Sequence, residues 1–156
     1  MKTVFIDSSV IVAACASKTG ASALILGYSR QKKLNTIVSR EVIEEARKNI
    51  SLKIGKIGEK RLSNYIKFAN IRLVVSPSTE QITECEQYID KKDAPIIAAA
   101  IESQADYIVS LDRKHFLQPE VIKNAKPKLI ISPGDFVLKH LIKNKTFRKD
   151  RRPDDR

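Results

Sequence analysis

Three aspartates stand where apolar segments begin or run out. Asp7 follows VFI, Asp112 follows YIVSL, and Asp93 precedes the apolar helical run APIIAAAIES. A carboxylate at the end of a buried strand is fixed by that strand yet faces solvent, which is what an ion site requires. Three such groups gathered at one place repel, so they either raise one another's pKa or recruit a cation. An oxygen-only donor set without histidine suits Mg²⁺ or Mn²⁺ better than Zn²⁺.

The elements that must position these acids alternate along the chain. Apolar strands are expected at 3–6, 35–38, 71–75, 106–110 and 128–131. Helical patterns cover 8–16, 20–33, 40–50, 57–69, 79–88, 94–104 and 134–143, with a helical turn near 113–116 and a turn allowed by Gly20. Short apolar strands separated by helices favour a mostly parallel sheet covered on both faces, a three-layer α/β/α sandwich, because parallel neighbours need crossovers and the crossover helices do the covering. Sites in such sheets gather at the carboxyl ends of the strands. From Asp93 a helix runs out for about ten residues at ~1.5 Å each, and a strand of about five residues returns at ~3.3 Å each, so Asp93 and Asp112 end close together. Asp7 joins them if the first strand lies parallel to 106–110.

A fourth acid is expected from the helix after Ser39, where Glu41, Glu44 and Glu45 compete. Val42, Ile43, Ala46 and Ile50 define its inward stripe, and Glu45 falls closest to the centre of that stripe. Glu45 is therefore the choice, against the alternative of a solvated acid pairing with Lys48 or Asn49. The other candidates also have plain structural readings. Ser8 could cap the first helix, Ser110 could end a strand, and Asp93 before Ala94 and Pro95 has the signature of an N-cap. His115 and His140 read as surface or packing residues, since neither has a partner at metal-ligand spacing. The four tyrosines, Tyr28, Tyr65, Tyr88 and Tyr107, read as packing residues, with no stacking platform for bases.

Twenty-nine Lys and Arg against 18 Asp and Glu give a net charge of +11, for which nucleic acid is the first candidate partner and a solubility surface the alternative. Lys32, Lys33, Lys48, Lys53, Lys56, Lys60 and Arg61 could grip phosphates without reading sequence, and Arg113 and Lys114, just after Asp112, are best placed to touch a bound strand. With 156 residues and 42% hydrophobic content, one domain over 1–143 is expected, followed by a basic and mobile tail at 144–156. Cys15 and Cys85 sit in apolar helical patterns without metal or redox spacing and read as buried thiols. No cationic leader with an apolar core and no run of ~18 apolar residues is visible, so the expectation is a cytoplasmic protein without a membrane segment.

Four segments together, VFIDSSV, SREVIEEARKNI, KKDAPIIAAAIESQADYIVSLDRKHF and IISPGDFV, span nearly the whole chain. They resemble the PIN-domain family, the VapC-like metal-dependent ribonucleases that include the toxins of many toxin–antitoxin pairs. The third segment is the most specific, because an acid opening an apolar helix, Ala-Asp, a strand, a hydroxyl and an acid follow there in the family's order. The resemblance implies a five-stranded parallel sheet in the order 3-2-1-4-5 and a homodimer. It implies an acidic quartet of Asp7, Glu45, Asp93 and Asp112 with Ser8 and Ser110 beside it, and hydrolysis of single-stranded RNA with Mg²⁺ or Mn²⁺. On that reading Asp7, Asp93 and Asp112 hold the cation, Glu45 positions or deprotonates the attacking water, and the serines orient carboxylates. Where some relatives carry a further acid after Asp112, this chain has Arg113, Lys114 and His115, so Asp90 is the candidate outer ligand and the number of cations stays open. Two other readings remain: a catalytically weak nucleic-acid-binding or scaffold protein of the same fold, and a small-molecule phosphatase with Asp7 as nucleophile. The second is weakened by Ser9, since an aspartyl-phosphate enzyme usually wants a second acid two residues after the first.

Overall fold

A computed structural model describes residues 1–142; the expected basic tail at 144–156 lies outside them. The chain enters through β1 (Thr3–Ile6) and continues through α1 (Ser8–Ala16), α2 (Ala21–Arg30), β2 (Asn35–Val38), α3 (Arg40–Lys53) and α4 (Lys56–Phe68). It then forms β3 (Ile71–Leu73), α5 (Thr79–Cys85), α6 (Ala94–Glu102), β4 (Tyr107–Val109), α7 (Pro119–Ala125), β5 (Leu129–Ile131) and α8 (Pro133–Phe136), which runs into a π-helical turn (Val137–Leu141). The strands make one all-parallel sheet in the order β3-β2-β1-β4-β5.

Both faces of this sheet are covered, and β1 shows it directly. Successive strand residues point to opposite faces, yet Val4, Phe5 and Ile6 are all fully buried. In one helix group α1 packs with α2, α3 and α4, while α5 packs with α6. Helix α6 is buried almost all round, from Ala94 through Ala100, because its alanines let it approach neighbours closely. Gly20, at φ +124°, makes the turn from α1 into α2.

The edges are different. Only Ile71 of β3 is part-buried, and Val75, expected in that strand, lies beyond the ladder and is 89% exposed. Helix α7 was not expected. Its seven residues bury only Val121 and Ala125, one turn apart, which is too short a stripe to stand out from its polar surroundings. Among the described residues no single helix is long and apolar enough to cross a membrane.

Candidate metal centre

The central strands deliver their carboxyl ends side by side. Ile6 pairs with Val109, so Asp7 and Ser110 emerge next to each other, and the Asp7 amide donates to the Val109 carbonyl at 3.0 Å. Asp7 is 3% exposed and is the N-cap of α1, its Oδ1 accepting from the Ser8 amide at 2.7 Å. Capping of α1 is thus the work of Asp7 and not of Ser8, whose hydroxyl lies 3.4 Å from Asp7 Oδ1. Asp7 Oδ2 accepts two hydroxyl hydrogen bonds at 2.8 Å, one from Ser110 and one from Ser9. Ser110 in turn accepts from the Asp112 amide at 3.0 Å, and Ser9 accepts from the Leu111 amide at 3.0 Å. These two serines tie the end of β1 to the end of β4 and fix how the Asp7 carboxylate is turned. Ser9 was missed as a site residue; the signal in the sequence was a second hydroxyl directly after the Asp-Ser pair.

Asp93 sits at the N-cap position of α6, but its side chain makes no capping hydrogen bond, because its backbone is already helical (φ −95°, ψ −18°). The capping reading therefore fails for its side chain, although Pro95 does occupy the first turn. Asp93 is 5% exposed, and its Oδ2 is buried without a hydrogen-bond partner. A buried carboxylate oxygen without a donor is costly, and a cation is one way to satisfy it.

Helix α3 is capped by Ser39, which accepts from the Val42 amide at 3.2 Å, and packs against α1. Its half-buried Glu45 lines the same pocket as Asp7, Ser8, Ser9, Asp93 and Asp112, a space of about 290 Å³ also edged by Asn49 and Lys53. Glu44 is exposed, and Glu41 is absent from the pocket lining, so of the three acids only Glu45 lines this pocket. Burial raises the Glu45 pKa above the ordinary range, and the nearby Asp7 and Asp93 raise it further, while a hydrogen bond from Ser8 and the charge of Lys92 oppose them. Burial also raises Asp93; His115 and Lys92 pull it back, and Asp112 and Asp7 push it up. Two acids on different elements that each feel Asp7 as a repelling charge are close in space. The oxygen-rich set of Asp7, Glu45, Asp93 and Asp112, with one buried oxygen unsatisfied, fits a hard divalent cation of the Mg²⁺ or Mn²⁺ kind.

His115 corrects the expectation of a surface or packing residue. Its amide donates to Asp112 Oδ1 at 3.0 Å, and its Nδ1 lies 2.9 Å from Asp112 Oδ2. Its Nε2 lies 3.2 Å from Oδ2 of Asp90, an exposed residue outside the pocket lining. The turn after Asp112 brings the ring back over its carboxylate, while Asp90 and Asp93 arrive from a distant segment, so spacing along the chain could not reveal the cluster.

Among the basic candidates, Lys53 lines the acid pocket, whereas Lys48 is exposed and outside its lining. Lys114 is exposed and outside the pocket lining, and Arg113 lines a separate hollow with Leu117, Gln118 and Lys139. Arg61 is committed elsewhere, donating to the Cys15 carbonyl at 2.8 Å and so satisfying the carboxyl end of α1. Cys15 and Cys85 are free and buried, and burial pushes the Cys15 thiol up to about 11. His140 packs as expected, 4.6 Å from the Tyr107 ring and 5.3 Å from the Phe136 ring.

A family model described as PIN domain matches residues 3–114. No curated protein matches the sequence. Among solved structures, the chain is similar to VapBC2 from Rickettsia felis bound to a DNA fragment from their promoter, with a TM-score of 0.62 and 17% identity, covering 83% of this chain and 98% of that one. It is also similar to PAE2754 from Pyrobaculum aerophilum, with a TM-score of 0.59 and 16% identity, covering 88% of this chain and 93% of that one. At such identities these two likenesses concern the fold.

Proposed function

The chain belongs to the PIN-domain family, and from that premise we propose that it is a divalent-cation-dependent endoribonuclease, the toxin of a toxin–antitoxin pair. The observation that carries the reading is the buried Asp93 Oδ2 without a partner, in a pocket shared with Asp7, Glu45 and Asp112. Asp7, Asp93 and Asp112 are the residues that would hold Mg²⁺ or Mn²⁺, with Glu45 beside them. When bound, the cation supplies Lewis acidity toward water and offsets charge on the scissile phosphate. Glu45, with a pKa raised by burial and by its acidic neighbours, is a stronger base than an ordinary carboxylate and is placed to take a proton from the attacking water. Ser110 and Ser9 hold the Asp7 carboxylate in one rotation, so that the acids need little rearrangement on binding. Lys53 at the pocket edge, the exposed Lys114 two residues after Asp112 and the net charge of +11 would attract the RNA backbone without reading its sequence. Arg113 and Lys48 are exposed cations outside the pocket lining that would add to this attraction. The likeness to VapBC2 supports a search for an antitoxin protein.

The phosphatase reading is disfavoured by the hydrogen bonds on Asp7. Its Oδ1 accepts an amide and its Oδ2 accepts two hydroxyls, which stabilises the carboxylate and blunts it as a nucleophile. The test is cleavage of single-stranded RNA with Mn²⁺ by the wild-type chain and by Asp7→Asn. Cleavage lost in a folded variant supports the proposal. No cleavage by the wild type across varied RNAs and cations would leave a nucleic-acid-binding or scaffold protein of this fold.

A further inference from the structure

Beside the acid pocket, Asp90, Asp93 and His115 offer three ligand atoms within 4.8 Å of one another. The backbone holds them there. The Asp93 and Ala94 amides both donate to the Asp90 carbonyl, at 2.9 and 3.0 Å, so a tight turn presents the two carboxylates together. Across from this turn, the His115 ring is held over Asp112, with Nδ1 2.9 Å from Asp112 Oδ2 and the His115 amide bonded to Oδ1 of the same carboxylate. An imidazole whose one nitrogen is held by a carboxylate has the other available for a metal, and that outer partner fixes both the tautomer and the ring orientation. Here the other nitrogen, Nε2, faces Asp90 Oδ2 at 3.2 Å. Asp93 is 5% exposed, and its buried Oδ2, which accepts no hydrogen bond, lies 3.9 Å from His115 Nδ1, on the ring whose Nε2 faces Asp90.

We infer that Asp90, Asp93 and His115 form a second cation site, of one nitrogen and two carboxylates, that takes a first-row transition dication in preference to Mg²⁺. Imidazole is a borderline donor favoured by Mn²⁺ through Zn²⁺, whereas Mg²⁺ demands oxygen ligands and gives up its water reluctantly. The inference rests on the reading of the acid pocket through Asp93, which the two sites share, and through Asp112, which lines that pocket and holds the His115 ring.

The test uses the full chain and Mn²⁺ alone as probe, with calorimetry for stoichiometry and pulsed electron paramagnetic resonance for nitrogen coupling. Wild type is expected to bind two Mn²⁺, one of them showing imidazole ¹⁴N coupling, and excess Mg²⁺ should displace only the uncoupled ion. His115→Gln should bind one Mn²⁺ without ¹⁴N coupling. Asp90→Asn, at an exposed residue, should keep the fold and weaken the coupled ion by on the order of 10-fold or more. Asp7→Asn should keep the coupled ion and lose the other. Absence of ¹⁴N coupling in wild type overturns the inference, as does full retention of the coupled ion in Asp90→Asn. A coupled ion bound without a second one at Asp7 would support this site and contradict the proposed function.

Discussion

The two ends of the sheet carry similar residue types and treat them in opposite ways. At the amino end of the strands, Asp106 Oδ2 accepts the Thr3 amide at 2.9 Å, and Asn70 and Asn35 pass a chain of side-chain hydrogen bonds to Thr3. Lys128 closes that end by donating to the carbonyls of Ser103 and Ala105. These carboxylate, amide and ammonium groups have partners within the protein, although the buried Thr36 hydroxyl of β2 makes no hydrogen bond. At the carboxyl end Asp7, Glu45, Asp93 and Asp112 face one pocket, and the buried Asp93 Oδ2 has no donor. An acid at a strand end can be a structural tie or a site, and what separates the two ends here is that the carboxyl end gathers four acids around one pocket and leaves one buried carboxylate oxygen without a donor.

Substitutions should divide along the same line. The largest effect is expected for Asp93→Asn, which removes a ligand and a repelling charge together. RNA cleavage and cation affinity should fall by on the order of 100-fold or more, since even an outer partner of a metal ligand is worth 10–100-fold. The cation-free variant should melt at a higher temperature than wild type, because the raised Asp93 pKa means that its charge disfavours the folded state. A lower melting temperature in chelator would erase the contrast between the two ends.

Next in size is Ser110→Ala, expected to cost roughly 10–100-fold in cation affinity by releasing the Asp7 carboxylate, with a smaller change in melting temperature. Ser9→Ala should act in the same direction, and calorimetry on both variants checks this. The opposite end supplies the control. Asp106→Ala should destabilise the protein by about 1 kcal/mol, the worth of an accessible hydrogen bond, and leave cation affinity unchanged.

The smallest effect is that of pH on the cation-free protein. Glu45 and Asp93 have folded-state pKa values raised above the unfolded ones, so the folded state holds more protons. Their contribution to stability is present in full below the ordinary carboxylate range of about pH 4 and is lost as pH rises through the raised values. The melting temperature in chelator should therefore rise as the pH is lowered toward the ordinary carboxylate range, as far as these two groups are concerned. With Mn²⁺ the trend should reverse, because protons compete for the same oxygens. A stabilisation by Mn²⁺ that does not shrink with acid would place the ion elsewhere.

Much of the arrangement was legible in the residues. β1, α1 and β2 have the expected bounds because each is an unbroken apolar or small-residue run next to a polar stop. Asp7 and Asp112 were visible as acids ending such runs, and Glu45 followed from the apolar stripe of α3. Sequence could not say that the Asp93 side chain declines its cap, since that depends on a helical backbone at the cap position. Nor could it pair His115 with Asp90, because only the turn after β4 and the crossing of α6 bring them together. Helix α7 escaped for a simpler reason, that it buries few residues and leaves a weak pattern, while β3 was expected but ends at Leu73, short of Val75.

The central claim is that carboxylates from separate elements converge to hold a divalent cation. Its most direct test is calorimetric titration of Mn²⁺ into wild type and Asp93→Asn, with melting curves to show that both are folded. Saturable uptake by wild type that is at least ~100-fold weaker in the variant is the predicted result. No uptake by wild type, or equal uptake by both, would contradict it.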